Sequence, residues 1–332
     1  MKNEFDIDPL VQATDETLEA ISDLYRPATA YHRMPWPALD QVMGGMPGGE
    51  VLYVAAFSSS GKTLFLTSLL NEYFDNSDKK IYYMGLESKP KTLRTHWAAK
   101  RLGFDSGDFL TGEFLKWPNW KSLREQLEAE IYSQHSGAKF ERVKFCPTRY
   151  INAESIKRAA EQAKDFGADI FIIDHVDHIE GSGQGTYEQS LQSNRAILNI
   201  AQDYGFLMVP ATQLNNDAVR LNPVALHLPP RPHHVKFGGH KREGATWMLG
   251  LYRPLRLSGV TVEELRNVNS GLTNSLEICE PQTMAAVFMK HRPYGNREGR
   301  RVNLRVENGR VMDLPERDLY RTRDDDGFRA TP

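Results

Sequence analysis

The sequence predicts an α/β fold in which a mostly parallel central sheet is flanked by helices on both faces. Two observations support this prediction. Short apolar runs typical of buried strands alternate along the chain with longer segments in which apolar residues recur at helical spacing. In addition, the segment Ala56–Thr63, AFSSSGKT, follows one such run and opens one of the helical segments.

The predicted elements alternate over most of the chain. Strands are predicted at 51–57, 80–86, 143–146, 169–174, 206–212, 246–252, 285–291 and 301–307. Helices are predicted at 62–74, 89–102 and 187–204, and between a cap at Asn152 and a stop at Gly167. Residues 215–243 are rich in Pro, Gly, His and basic residues, which indicates a loop.

We expect three regions in the chain. Residues 1–35 form an N-terminal appendage, whose single apolar stripe is too short to fold alone and needs a surface to dock on. Residues 36–314 form the main domain, with an insertion at 254–283. Residues 315–332 are charged and lack an apolar period, so we expect a mobile tail.

Composition restricts the class of protein. The 332 residues are 40% apolar and 25% charged, and the net charge of −2 gives no overall basic field for nucleic acid. Any contact with nucleic acid must therefore come from local basic loops. The two cysteines, Cys146 and Cys279, supply neither a disulfide framework nor a metal cluster. No signal peptide or membrane-spanning run is evident, so we expect a cytoplasmic protein.

The segment AFSSSGKT is predicted to bind the phosphates of ATP. Backbone N–H groups of such a loop, together with the start of the following helix, surround the β-phosphate. Gly61 permits close approach, Lys62 reaches the β- and γ-oxygens, and Thr63 ligates Mg²⁺. The predicted nucleotide-binding residues are Ala56, Ser58, Ser59, Ser60, Gly61, Lys62 and Thr63. The alternative is a serine-rich turn that carries a surface lysine.

Three polar residues follow predicted strands and therefore should meet at one edge of the sheet. Asp174 ends an apolar run and is predicted to hold Mg²⁺ through water, beside Thr63. Glu87 follows the second strand and is placed to activate the water that attacks the γ-phosphate. Gln213 is placed to sense that phosphate. The alternative is that Asp174 and Glu87 simply end or follow a strand and that Gln213 caps the following loop, without contact to a nucleotide.

In this order, the motifs resemble those of the ATPase domain of DnaB-family hexameric replicative helicases, a RecA-like P-loop NTPase domain. The resemblance covers Trp36 to Leu314. It rests on AFSSSGKT at 56–63, GLES at 85–88, IIDHVDHI at 172–179 and TQLNN at 212–216. It implies that Glu87 is the catalytic glutamate, Asp174 the metal-side aspartate and Gln213 the phosphate sensor.

Two further segments resemble family motifs. KHRPYG at 290–295 is similar to a segment that reaches across the subunit interface, which implies that Lys290 and Arg292 act on the neighbour's γ-phosphate. VKFGG at 235–239 is similar to the family's DNA loop, with Phe237 in place of its glutamate. The DNA-binding residues implied are Lys236, Gly238, Gly239, Lys241 and Arg242. The alternative for both segments is that their basic residues are merely solvated at the surface. Residues 181–189 are a second, weaker candidate for contacting DNA.

The resemblance implies a ring-forming, ATP-dependent helicase or translocase on single-stranded DNA. Its subunits would form a homo-oligomer, a hexamer, that moves 5′→3′ in DNA replication in a bacterial or phage-infected cell. Residues 1–35 stand where the family has a primase-recruiting domain, and their apolar stripe resembles the family's linker helix. No loader or primase partner is identified by the sequence. The alternative is a RecA- or KaiC-like regulatory or assembly ATPase without unwinding activity.

Overall fold

The computed structural model describes residues 31–58, 60–87, 90–101, 106–132, 141–146, 152–178, 186–215, 229–236, 238–252, 283–307 and 309–313. The predictions for residues 1–30, for Ser59, for the loop at 181–185, for residues 254–282 of the insertion and for the tail fall outside this part of the chain. No helix among the described residues combines the length and the apolar character needed to cross a membrane.

A nine-stranded sheet organises the described part of the fold. Its strands are β3 Leu52–Ala56, β4 Ile81–Gly85, β5 Val143–Phe145, β6 Ile170–Asp174, β7 Leu207–Gln213, β8 Trp247–Tyr252, β9 Thr283–His291, β10 Arg301–Glu307 and β11 Arg310–Asp313. Their order across the sheet is β11-β10-β9-β8-β3-β7-β6-β4-β5. Two short strands, β1 Tyr31–His32 and β2 Met46–Pro47, pair separately. The six strands from β8 to β5 are parallel, whereas β9, β10 and β11 continue the sheet antiparallel.

Helices cover both faces of this sheet. They span Pro37–Met43, Lys62–Asn76, Pro90–Arg101, Ser106–Thr111, Trp120–Tyr132, Ala153–Phe166, Thr186–Tyr204 and Gly238–Gly244. One buried apolar cluster contains residues of the helices at 37–43, 62–76 and 90–101, and the other contains residues of the helices at 153–166 and 186–204. The predicted class, a mostly parallel central sheet flanked by helices, is confirmed.

Local sequence explains where several elements begin and end. The Asn152 side chain accepts a hydrogen bond from the Ser155 N–H, and Gly167 ends the same helix at φ 74°, so both predicted signals are confirmed. The parallel strands β3, β4 and β6 are buried at every position, which explains why each one appears in the sequence as a continuous apolar run.

The structure adds one helix and corrects one prediction of irregular chain. The Gly- and Pro-rich residues 36–50 contain the helix Pro37–Met43, because Pro37 suits the first helical turn and Gly44 ends the helix at φ 84°. The predicted loop at 215–243 contains a helix at Gly238–Gly244, which we call the basic helix. It packs against the helix Thr186–Tyr204 and then leads into β8.

The two edges of the parallel sheet differ in what they carry. We call the edge where the parallel strands end, at Ala56 of β3 and Gln213 of β7, the carboxyl edge. We call the edge where they begin, at Leu52 and Trp247, the amino edge. Because β9 is antiparallel to β8, its last residue, His291, pairs with Trp247 and lies at the amino edge.

Candidate functional site

The phosphate loop connects the end of β3 to the start of the helix Lys62–Asn76. Gly61 has φ +95°, a conformation that a residue with a side chain adopts only under strain. The Ser60 N–H donates to the Phe57 carbonyl (3.1 Å), which tightens the turn. The loop opens into a pocket lined by Phe57, Ser58, Gly61, Lys62, Thr63, Leu64, Glu87 and Gln213. These residues provide the backbone N–H groups and helix start that a phosphate group needs.

Lys62 is almost enclosed, with 8% of its surface exposed. Burial lowers the pKa of its ammonium, and the nearby carboxylate of Asp174 opposes that shift. An enclosed lysine beside a carboxylate differs from the solvated surface lysine of the alternative interpretation. It is placed to donate to an anion in the pocket.

Asp174 is held by two hydroxyl groups at the carboxyl edge. The Thr63 hydroxyl donates to Asp174 Oδ2 at 2.8 Å, and the Tyr83 hydroxyl donates to the same oxygen at 3.1 Å. Within the described part of the chain, the buried Oδ1 atom of Asp174 has no hydrogen-bond partner. A hydroxyl and a carboxylate with an unsatisfied oxygen are the hard ligands that Mg²⁺ prefers, directly or through water. The residues present therefore fit a magnesium ion.

Glu87 and Gln213 both line the pocket, as the sequence predicts for the same edge. Glu87 is exposed, and Gln213 is partly buried at the end of β7. Between them lies His175, whose Nε2 atom is 3.7 Å from Glu87 Oε2 and 3.3 Å from Gln213 Nε2. Glu87, His175 and His178 also bring one donor atom each within 4.8 Å of one another.

Asp177 is the centre of a network that sequence reasoning missed. Its carboxylate accepts from the Gln213 N–H (2.6 Å), from the Thr212 hydroxyl (3.0 Å) and from the Lys241 ammonium (2.5 Å). It also lies 3.2 Å from His175 Nδ1. The only available signal was its position beside the metal-side aspartate in IIDHVDHI, where two His and a second Asp follow an apolar run.

Lys241 requires a correction. The sequence predicts that it contacts DNA, but only 4% of its side chain is exposed. Its ammonium donates to Asp177, to the Thr212 hydroxyl (2.8 Å) and to the Lys236 carbonyl (3.1 Å). An ammonium whose three protons are taken up inside the protein is not presented to a DNA phosphate. The structure therefore gives Lys241 an internal ion pair in place of the predicted DNA contact.

Three of the other predicted DNA-binding residues remain at the surface. Lys236, Gly239 and Arg242 are exposed, and Gly238 begins the basic helix. This segment connects directly to the predicted sensor, because the Lys236 N–H donates to the Gln213 carbonyl (3.2 Å). The bridge between Leu214 and Val235 extends that connection.

Lys290 and Arg292 lie at the amino edge, away from the phosphate loop of their own chain. The Lys290 ammonium donates to the Glu243 carbonyl (3.1 Å) and to the Arg242 carbonyl. The Arg292 guanidinium also donates to the Glu243 carbonyl (2.9 Å) and is otherwise exposed. Both cations therefore contact the carboxyl end of the basic helix, where helix carbonyls are unsatisfied.

Residues 34–222 match the sequence pattern of one protein family, the DnaB-like helicase C terminal domain. The matched segment is more than half of the chain and contains the phosphate loop, Glu87, Asp174 and Gln213. The chain belongs to this family. Its membership confirms the predicted family and the predicted class of enzyme, an ATPase of the helicase type.

Two solved structures share the fold of this DnaB-like domain. One is a DnaB-like replicative helicase, solved to show its interactions with primase, with TM-score 0.70, 16% identity and 92% of this chain covered. The chain spans 66% of that helicase's length. The other is an isolated ATPase domain, with TM-score 0.69 and 16% identity, covering 93% of this chain and 100% of that domain. No curated protein sequence matches the chain.

The family match ends before two of the predicted sites. Residue 222 precedes both the basic helix and the pair Lys290 and Arg292. The DNA-contacting role of the basic segment and the intersubunit role of Lys290 and Arg292 therefore stay predictions. The geometry of this chain supplies the arguments for them.

Proposed function

We propose that this DnaB-like domain is an ATP-driven translocase on single-stranded DNA that assembles into a ring and hydrolyses ATP between subunits. One observation carries the proposal: the cations that resemble the family's intersubunit motif lie at the opposite edge of the sheet from their own phosphate loop. Trp247 pairs with both Leu52 and His291, so Lys290 and Arg292 lie beside the start of β3. Ala56, where the phosphate loop begins, is four residues further along β3, about 13 Å away at about 3.3 Å per residue.

At such a distance, Arg292 does not reach the nucleotide pocket of its own chain. An exposed guanidinium at this edge is placed to enter the pocket of a second copy, where it stabilises charge on the transferred phosphoryl group. We therefore assign Lys290 and Arg292 to the neighbour's site. Each nucleotide pocket is then completed by another subunit, and a closed ring gives every pocket a partner. The family resemblance implies a hexamer.

Within one chain, the carboxyl edge provides the remaining groups for ATP hydrolysis. Lys62 contacts the β- and γ-phosphates. Thr63 and Asp174 would hold Mg²⁺, which would neutralise phosphate charge at this place. Glu87 accepts a proton from the attacking water, and Gln213 contacts the γ-phosphate. All five side chains belong to strand ends or to the phosphate loop, which fixes their backbone positions.

The exposed residues Lys236, Gly239 and Arg242, together with Gly238, are the proposed contact for DNA. Lys236 and Arg242 supply cations for backbone phosphates, and Gly238 and Gly239 leave the chain open for close approach. The direct bond from Lys236 to the Gln213 carbonyl connects this segment to the sensor. Family membership supports a role in replication. The family resemblance further implies 5′→3′ movement, in the cytoplasm of a bacterial or phage-infected cell.

ATP turnover with and without single-stranded DNA tests the proposal. We expect DNA to stimulate turnover, and we expect Lys236→Ala to raise the DNA concentration needed for half-maximal stimulation. Lys157→Ala, which removes an exposed lysine on the helix Ala153–Phe166, is the matched control and should behave as the parent. DNA-indifferent turnover would contradict the proposal and favour the regulatory or assembly ATPase.

A further inference from the structure

A row of side chains runs from the basic helix into the nucleotide pocket. The Lys241 ammonium donates to Asp177 Oδ1 at 2.5 Å, and Asp177 Oδ2 lies 3.2 Å from His175 Nδ1. On the other side of the imidazole, Nε2 lies 3.3 Å from the Gln213 amide nitrogen and 3.7 Å from Glu87 Oε2. The row therefore ends at the two residues proposed to act at the γ-phosphate.

The charge of Asp177 fixes the direction of each hydrogen bond. Burial alone would raise its pKa, but the hydrogen bond from His175 and the charge of Lys241 outweigh burial and lower the pKa well below its usual range. An ionised carboxylate only accepts, so His175 Nδ1 carries the proton. With the proton on Nδ1, Nε2 is the acceptor for the Gln213 amide N–H, which sets the orientation of that amide.

The row is enclosed and therefore has little freedom to rearrange. Only 4% of the Lys241 and Asp177 side chains and 2% of the His175 side chain are exposed. The other two protons of the Lys241 ammonium go to the Thr212 hydroxyl and the Lys236 carbonyl. A displacement of the basic helix thus moves Lys241 against β7 and against Asp177. Asp177 in turn holds the Gln213 N–H at 2.6 Å.

We propose that Lys241, Asp177 and His175 form the link through which DNA contact at the basic helix controls the positions of Gln213 and Glu87, with His175 as a positioning residue. This inference rests on the proposed function for its DNA-bound half. The hydrolytic half stands on the geometry of the pocket alone. Asp177 and Lys241 are 64 residues apart, and the chain brings them together only through the packing of the basic helix.

The positioning role of His175 is tested without DNA. His175→Phe keeps a ring of similar shape but removes both nitrogens, whereas His175→Gln restores an acceptor near the place of Nε2. We expect the Phe variant to lower kcat by about 10- to 100-fold. KM for ATP should stay within about twofold, and the Gln variant should recover most of the loss. Equal kcat values for the Phe and Gln variants would overturn the positioning role.

The coupling role of the ion pair is tested with DNA. The double variant Lys241→Met with Asp177→Asn replaces the pair by neutral groups of similar size and leaves no buried charge unpaired. Its fold is checked by circular dichroism and a thermal melt. Because Lys241 is enclosed, we expect the double variant to bind a fluorescent single strand as the parent does. We expect saturating DNA no longer to stimulate its turnover.

Lys236→Ala is the matched control for the double variant. It removes an exposed cation next to the basic helix, so it should weaken DNA binding and yet keep full stimulation at saturating DNA. A folded double variant that DNA stimulates as strongly as the parent would overturn the link. If the parent itself ignores DNA, the proposed function fails, while the His175 comparison still decides the positioning role.

Discussion

Enclosed charged side chains at the carboxyl edge of the sheet contrast with an exposed arginine at the amino edge. At the carboxyl edge, Lys62, Asp174 and His175 are enclosed and meet partners or one another inside the chain. At the amino edge, the Arg292 side chain is exposed, and its guanidinium donates to the Glu243 carbonyl of the basic helix. The first edge is organised within one chain, and the second presents a cation outward. Under the proposed function, another subunit completes the site.

The largest effect should follow from removing the outward cation. Arg292→Ala is expected to lower kcat for ATP by about 10³- to 10⁵-fold, because an arginine supplied in trans stabilises the charge of the transition state. Binding of a fluorescent ATP analogue should change little, since the binding groups belong to the other edge. Arg300→Ala removes an exposed arginine just before β10 and should keep parental turnover. Loss of nucleotide binding in Arg292→Ala would contradict the assignment of the binding groups to the carboxyl edge alone.

A smaller effect, on stability, is expected at the carboxyl edge. Lys241→Ala leaves the enclosed Asp177 carboxylate without its cation, which should lower the free energy of unfolding by about 3–5 kcal/mol. Urea denaturation measures this value. Lys157→Ala, at an exposed position, should stay within about 0.5 kcal/mol of the parent. Equal stability of the two variants would show that the ion pair contributes nothing to the fold.

The smallest predicted effect is a pH-dependent loss of stability caused by the buried His32. Burial lowers the pKa of His32 to about 4, with a further contribution from Lys79, against a usual value of 6.5. Between these values the unfolded chain binds the proton and the folded chain does not. Stability is therefore lost as the pH falls from about 6.5 to about 4, by up to about 3 kcal/mol.

The variant His32→Gln isolates that contribution. Its melting temperature should fall less than that of the parent between about pH 6.5 and about pH 4.5, in otherwise identical buffers. Asp177, whose pKa is lowered, keeps its charge over this range and loses its contribution only in stronger acid. Parallel melting curves for parent and variant would assign the acid sensitivity to other groups.

Much of the fold and of the nucleotide pocket was predictable because the information is local. The strands β3, β4 and β6 are buried on both faces and appear as unbroken apolar runs. The residues that end these strands or follow them, such as Glu87 and Asp174, reach one edge by topology alone. The phosphate loop is supplied by consecutive residues, 56–63, so its pattern is visible in the sequence without any knowledge of the packing.

The remainder depends on contacts between distant residues. The basic helix is seven residues long and contains three glycines, so its own sequence predicts a loop. Contacts with distant residues stabilise it: the Asn194 amide donates to the His240 carbonyl (2.7 Å), and Lys241 pairs with Asp177. A lysine among basic neighbours looks solvated in the sequence. Nothing local shows that its partner lies 64 residues earlier.

The most direct test of the central claim mixes two inactive variants. Arg292→Ala subunits keep every group that their own chain contributes to the pocket but lack the outward cation, and Glu87→Gln subunits keep the cation but lack the proposed proton acceptor. If the site is shared between subunits, mixed assemblies contain pockets with both groups, and ATP turnover returns. Co-purification of differently tagged variants verifies that mixed assemblies form. Turnover that stays absent in verified mixed assemblies would contradict the account.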